Sequence, residues 1–238
     1  MGNARWSVFS VRHLETDLWI AVDRGDKKDA AEFALQRVAY YRKVLDAHIR
    51  EHPEFSSSLE PLPLVSEIHP LAEGMYRAAS AAGTGPMSAV AGAFAEFICR
   101  DLLDEFVFSE VVVENGGDIF LKLESPAVIS VFAGDSPLSG KIGVTVKPSD
   151  SPLSICCSSA TIGHSFSMGE ADACMIACRS GALADAYATA FCNMTINSGI
   201  ISSLADKALG IPDIMSVVII KDDIVGLGGS LEFVFRDS

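Results

Sequence analysis

Residues 180–194, SGALADAYATAFCNM, contain one charged side chain, Asp185. Ser180 is a natural N-cap, and the run that follows has helical composition with no Lys or Glu on any face. A helix without a solvated face must be enclosed by other elements, so the fold has to wrap around this segment. Asp185, Thr189 and Asn193 recur at intervals of four and line one stripe. A buried carboxylate needs a partner. Asp185 with the hydroxyl of Thr189 one turn on offers two hard oxygen ligands, suited to Mg²⁺. The other reading is a capped or ion-paired core aspartate, with Thr189 bonded back to its own helix.

The 238 residues are ample for a large core, and 49% of them are hydrophobic. A formal charge of −13 argues against nucleic acid as a partner, and an anionic ligand would need a local helix N-terminus or a bound cation. The longest uncharged stretch, residues 78–95, is mostly Ala, Gly and Ser with Pro86 inside it, too weakly apolar to span a membrane. The first fifteen residues lack an apolar signal core, and the expectation is a cytoplasmic protein. Cys99, Cys156, Cys157, Cys174, Cys178 and Cys192 lie in apolar runs and read as buried reduced thiols. A metal site from Cys156, Cys174 and Cys178 is the less favoured alternative.

Along the chain, residues 5–23 read as two strands around a turn near Glu15 and Thr16, and Asp26 opens a long amphipathic helix reaching residue 52. Residues 53–65 have loop composition, and Ser66 and Ser80 bracket a further helix with Pro70 near its start. Another helix is expected over 86–105. Strands follow at 109–114, 118–123, 127–133, 140–147, 153–157 and 172–178. The helix at 181–195, a shorter one at 199–208 and strands at 215–220, 224–227 and 231–235 complete the pattern. It describes a single α+β domain over residues 1–238, with antiparallel sheets and helices packed on their faces.

Three further segments carry chemistry. In residues 84–96, TGPMSAVAGAFAE, Thr84 and Gly85 precede Pro86, and Ser88 and Gly92 keep the helix slender. Such a helix start can hold a phosphate, although tight helix packing explains the same residues and is favoured on spacing alone. In VVVENGGDIFLK, residues 111–122, Asn115, Gly116 and Gly117 form a turn that needs positive φ, with Glu114 and Asp118 at its shoulders. Residues 156–173 form a polar loop between strands, with His164 among several hydroxyls but no nucleophile elbow.

Together these motifs resemble the ApbE superfamily of FAD:protein FMN transferases. VVVENGGDI resembles its N-x-G-G-D turn and ALADAYATAF its A-D-A-x-[AS]-T-A helix, while GPMSAVAGAFAEFICRDL, residues 85–102, stands where that family has its Gly-rich K-G-[YF]-x-x-D helix. The resemblance implies an ApbE-like fold and a flavin nucleotide, FAD, as ligand or substrate. It implies Mg²⁺ held by Asp185 and Thr189, with Thr84, Gly85, Ser88, Gly92, Asn115, Gly116, Gly117 and Asp118 around the nucleotide. The implied activity is FMN transfer to an acceptor protein or FAD pyrophosphate cleavage; the competing reading is a non-catalytic accessory protein on the same scaffold. A homodimer stays open, and a sulfur-metabolism setting is suggested by related genes alone. The family lysine falls on Ala91 and its aspartate on Glu96, and the H-x-x-D-P segment has no counterpart. His164 is the residue left to replace that segment's histidine. The chain therefore resembles a compact branch of the superfamily, from which weak or absent transfer is expected.

Overall fold

The computed structural model describes residues 5–23, 27–161 and 169–236. Asp26, expected to open the first helix, lies outside these residues. Two strands, β1 (Ser7–His13) and β2 (Thr16–Val22), lead into α1 (Lys27–Glu51), the short α2 (Glu54–Ser57), α3 (Pro70–Ala82) and α4 (Val90–Glu105). Six strands follow: β3 (Val111–Asn115), β4 (Asp118–Lys122), β5 (Ala127–Ser130), β6 (Ile142–Val146), β7 (Leu153–Ser158) and β8 (Ala173–Cys178). Then come α5 (Gly181–Met194), α6 (Ile201–Leu209), β9 (Ile214–Lys221), β10 (Ile224–Gly229) and β11 (Glu232–Phe235).

Eight strands pair antiparallel in the order β1-β2-β3-β4-β7-β8-β9-β10, and β11-β6-β5 form a second antiparallel sheet. The fold is α+β, as the sequence pattern anticipates, but its layering is more specific. Helices cover one face of the large sheet and the small sheet covers the other. Alternate side chains divide between the two sides: Val111, Val113 and Phe120 meet the helices, whereas Val112, Leu121 and Ile155 meet the small sheet. Strands buried on both faces read as continuous apolar runs, which accounts for the sequence ACMIAC of β8.

The helix α5, with Asp185 as its single charge, is the most enclosed. It packs against α3 and α4 on one side and β7 and β8 on the other. The Ser180 side chain caps it by accepting the Leu183 N–H. Where α5 crosses α4, two glycines touch. A Cβ on Gly92 would stand 2.2 Å from the Gly181 carbonyl oxygen, and a Cβ on Gly181 would stand 2.1 Å from that of Gly92. No other residue fits at either position, so close approach of the two backbones fixes both identities.

Several boundaries differ from the sequence expectation for local reasons. Pro86–Ala89 form a 3₁₀ turn, and α4 begins only at Val90, because the Ser88 hydroxyl and N–H bond back to the Gly85 carbonyl. The helix α3 starts at Pro70, four residues beyond Ser66, and the cap is the ring Nδ1 of His69, which accepts from Leu71 N–H. No helix among the described residues is long and apolar enough to cross a membrane.

Two glycine substitutions check this packing. Gly181→Ala is expected to lower stability by about 1–3 kcal/mol or more, because the added methyl meets backbone that cannot yield. Gly74→Ala, inside α3 with nothing within 4 Å of the new methyl, is expected to raise it by roughly 0.5–1 kcal/mol. Chemical denaturation of the two variants gives both signs.

Candidate functional site

The hairpin turn between β3 and β4 closes on Gly116 and Gly117, both at positive φ (66° and 105°). Glu114 serves this turn directly, accepting the Gly117 N–H at 2.6 Å. Asn115 reaches across to α4, donating from Nδ2 to the Ala91 carbonyl at 3.0 Å. Asp118 points into the protein instead. It is buried and accepts the Cys157 N–H at 3.1 Å. Of the two turn acids, one is turn chemistry and the other belongs to a cleft.

That cleft, of about 640 Å³, wraps the end of the large sheet from the helix layer to the small sheet. Its polar side gathers Ser88, Asn115, Gly116, Gly117, Asp118, Ser158, Asp185 and Thr189. Its apolar side comprises Ile129, Val131 and Phe132 at β5 and just beyond, with Val144 of β6 and Met175 of β8. Phe132 is 66% exposed at this edge. Seven of the residues singled out in the sequence thus share one cavity. Thr84, Gly85 and Gly92 stand behind its wall. Thr84 shares a hydrogen bond with the Ser88 hydroxyl at 2.7 Å, Gly85 packs on the Ser58 backbone, and Gly92 makes the helix crossing. His164 lies outside the described residues.

Asp185 is 6% exposed on the inner side of α5. Its Oδ2 accepts the Gly92 N–H at 2.9 Å, one of the amides in the first turn of α4 that has no partner within its own helix. The capped-aspartate reading therefore describes one oxygen, while the carboxylate still faces the cleft. Thr189 does not bond back to its helix; its Oγ1 lies 3.2 Å from the Ser158 hydroxyl. Among the described residues no cation pairs with Asp185 or Asp118. Burial pushes both carboxyls up: Asp118, with the Glu114 charge adding to the shift, to about 7, and Asp185, with the Asp118 charge adding to it, well above the usual carboxylate range. The backbone amides of Gly92 and Ala91 oppose the shift of Asp185 without overcoming it.

Sequence reasoning missed the apolar wall, because β5 and β6 look like any half-buried strands until the small sheet is assembled. It placed Glu96 at the family aspartate's position but missed its contact: Glu96 Oε2 accepts the Gly181 N–H at 2.6 Å. The signal was present as GAFAE at 92–96 and GALAD at 181–185, two copies of a glycine with an acid four residues on. All six cysteines are free; five are buried, and Cys157 is half-buried at the cleft, its thiol pushed up to about 12 by burial. Among the described residues no three His, Cys, Asp or Glu side chains form a metal cluster.

The acid pair sets a pH dependence. The folded protein holds the Asp118 proton up to about pH 7, whereas the unfolded chain releases it near the ordinary value of 3.8. The folded state then binds more protons across that window, so its stability falls as pH rises through it. Thermal melts without divalent cations are expected to move to lower temperature from pH 5 to pH 8, with a flatter profile in Asp118→Asn.

Comparison with known proteins agrees with this architecture. The family model described as AbpE bacteria matches residues 2–214. A UPF0280 protein of Methanopyrus kandleri is 36% identical over 224 residues, covering 90% of this chain and 87% of its own. One from Methanocaldococcus jannaschii is 34% identical over 223 residues, covering 91% and 88%. Among solved structures, the flavinyl transferase ApbE of Pseudomonas stutzeri in its apo form aligns with a TM-score of 0.55 at 14% identity, covering 96% of each chain. The ApbE protein of Thermotoga maritima aligns at 0.55 and 15% identity, covering 95% of this chain and 96% of that one. The fold wrapped around α5 is that of the flavin transferases, and the chain belongs to the AbpE bacteria family of the ApbE superfamily.

Proposed function

We propose that this chain binds a flavin nucleotide, FAD, through a divalent cation of the Mg²⁺ type held by Asp185 and Thr189. The observation that carries this reading is the pair of buried carboxylates, Asp118 and Asp185, at the polar side of a cleft lined by no Lys, Arg or His among the described residues. Two buried acids without a cation are costly, and a divalent ion neutralises both. The donor set fits such an ion: two carboxylates and the hydroxyls of Thr189 and Ser158 are hard oxygens. When bound, the ion supplies charge neutralisation and polarisation of a pyrophosphate.

The chain's own residues supply the rest. Asp185 is held in place by the Gly92 N–H, and Asp118 by Cys157 N–H. The positive-φ turn at Gly116 and Gly117 leaves backbone open to the ligand at the cleft edge. Ile129, Val131, Phe132 and Val144 offer apolar surface of the kind a flavin ring system buries. Likeness to proteins named as flavin transferases supports the same ligand class.

A second reading, binding with little or no transfer to an acceptor protein, has its own support. Ala91 lines the cleft where the superfamily motif has lysine, so that wall brings a methyl group instead of a charge. On this reading the protein retains FAD, or hydrolyses it slowly, as an accessory to another flavoprotein.

Asp185→Asn tests the first reading. Shape is kept and charge is lost, so Mg²⁺-dependent FAD binding measured by calorimetry should vanish while the fold persists. If wild type binds FAD equally well with excess chelator, the cation reading is wrong. Co-expression with a threonine acceptor protein, read by in-gel flavin fluorescence, is expected to show labelling roughly 10²–10⁴-fold slower than a transferase that has its general acid–base residue. Strong labelling lost in His164→Ala would instead make that loop the transfer machinery.

A further inference from the structure

We infer that Glu96 is a positioning residue for the cleft, setting the place of Asp185 and Thr189 from the far side of the helix crossing. The inference rests on the cation reading above and deepens it. Glu96 does not line the cleft. Its Oε2 accepts the N–H of Gly181, the first residue of α5, at 2.6 Å. Its Oε1 accepts from Arg100 Nε at 2.9 Å, which orients the carboxylate.

The arrangement is reciprocal. In GAFAE, Gly92 and Glu96 stand one turn apart on α4; in GALAD, Gly181 and Asp185 stand one turn apart on α5. Glu96 holds the amide of Gly181, and Asp185 holds the amide of Gly92. Between the two bonds the glycines are in backbone contact. This forms a closed loop of four groups: each acid accepts from the first turn of the other's helix, and neither helix can slide without breaking a charge-assisted bond. Asp185 is one turn and Thr189 two turns from the amide that Glu96 holds. Any shift of the α5 start is carried along a rigid helix to both ligands, and Ser158 then loses its match to Thr189.

The test uses Mn²⁺ alone as probe, with affinity read by electron paramagnetic resonance on purified full-length protein. Wild type, Glu96→Gln, Glu96→Ala, Asp185→Asn and Cys99→Ala are compared, with near-UV circular dichroism to show an intact core. Glu96→Ala is expected to weaken Mn²⁺ binding about tenfold or more, in the range of outer-shell changes at metal sites. Glu96→Gln should lose less, because its amide oxygen can still accept the Gly181 N–H. Cys99→Ala, a buried truncation of the same helix away from the clamp, controls for general loss of stability and should leave affinity unchanged. Should Glu96→Ala fail to fold, Glu96→Gln against Cys99→Ala decides the matter: affinity at the wild-type level in Glu96→Gln, or an equal loss in Cys99→Ala, overturns the inference. A folded Glu96→Ala with wild-type affinity overturns it too. If Asp185→Asn abolishes binding while both Glu96 variants bind normally, only the positioning role falls; if wild type binds no Mn²⁺, the cation reading itself has failed.

Discussion

The contact between Gly92 and Gly181 is the constraint on which the rest of this structure depends. Two helix backbones meet there with no side chain between them. That proximity lets an acid on each helix reach the unsatisfied amides of the other, which longer side chains at the crossing would prevent. The crossing also draws α5 down onto β7 and β8, where it needs no polar face. Its alanines suit a helix enclosed by other helices and strands, since small residues give the shortest distances to all of them.

The same contact explains why charge tolerates burial at the cleft. Asp185 would be costly in an apolar helix if it met only carbon. It meets instead the start of a second helix, whose amides carry partial positive charge, and this offsets part of the cost. Asp118, which approaches from the β3–β4 turn, has one backbone amide and a cysteine pair beside it, so less offsets its burial. Both acids remain higher in energy as anions than they would be in water. A fold that keeps two such groups together stores unmet demand for positive charge at one place.

Much of this was legible in the sequence, and the reasons differ by region. The α5 helix declared itself through its single charge, and the β3–β4 hairpin through its glycine pair, because both features are local and each has few physical explanations. The strand series was readable for the same reason: Gly, Pro and Ser mark nearly every turn between residues 109 and 180. What escaped was pairing at a distance. Nothing local in AVIS or IGVTV says that they leave the main sheet to join EFVF from the far end of the chain. Nor does GAFAE announce that its acid will cap GALAD, since the two lie 85 residues apart. Thr84, Gly85 and Gly92 had a binding reading and a packing reading that spacing alone could not separate, and the structure shows where each of them packs.

The small sheet has an implication for how the molecule comes into being. Its middle strand, β6, carries Val144 to the cleft and is paired on one side by β5 and on the other by β11. On a ribosome the main sheet's first strands, the long helix and both acids emerge well before residues 232–235. Until those residues are free, β6 has an open edge and the cleft lacks a fastened wall. The apolar wall of the cleft thus depends on residues that emerge long after the acid pair, and a chain without residues 232–235 would carry Asp118 and Asp185 beside a strand left unpaired along one edge.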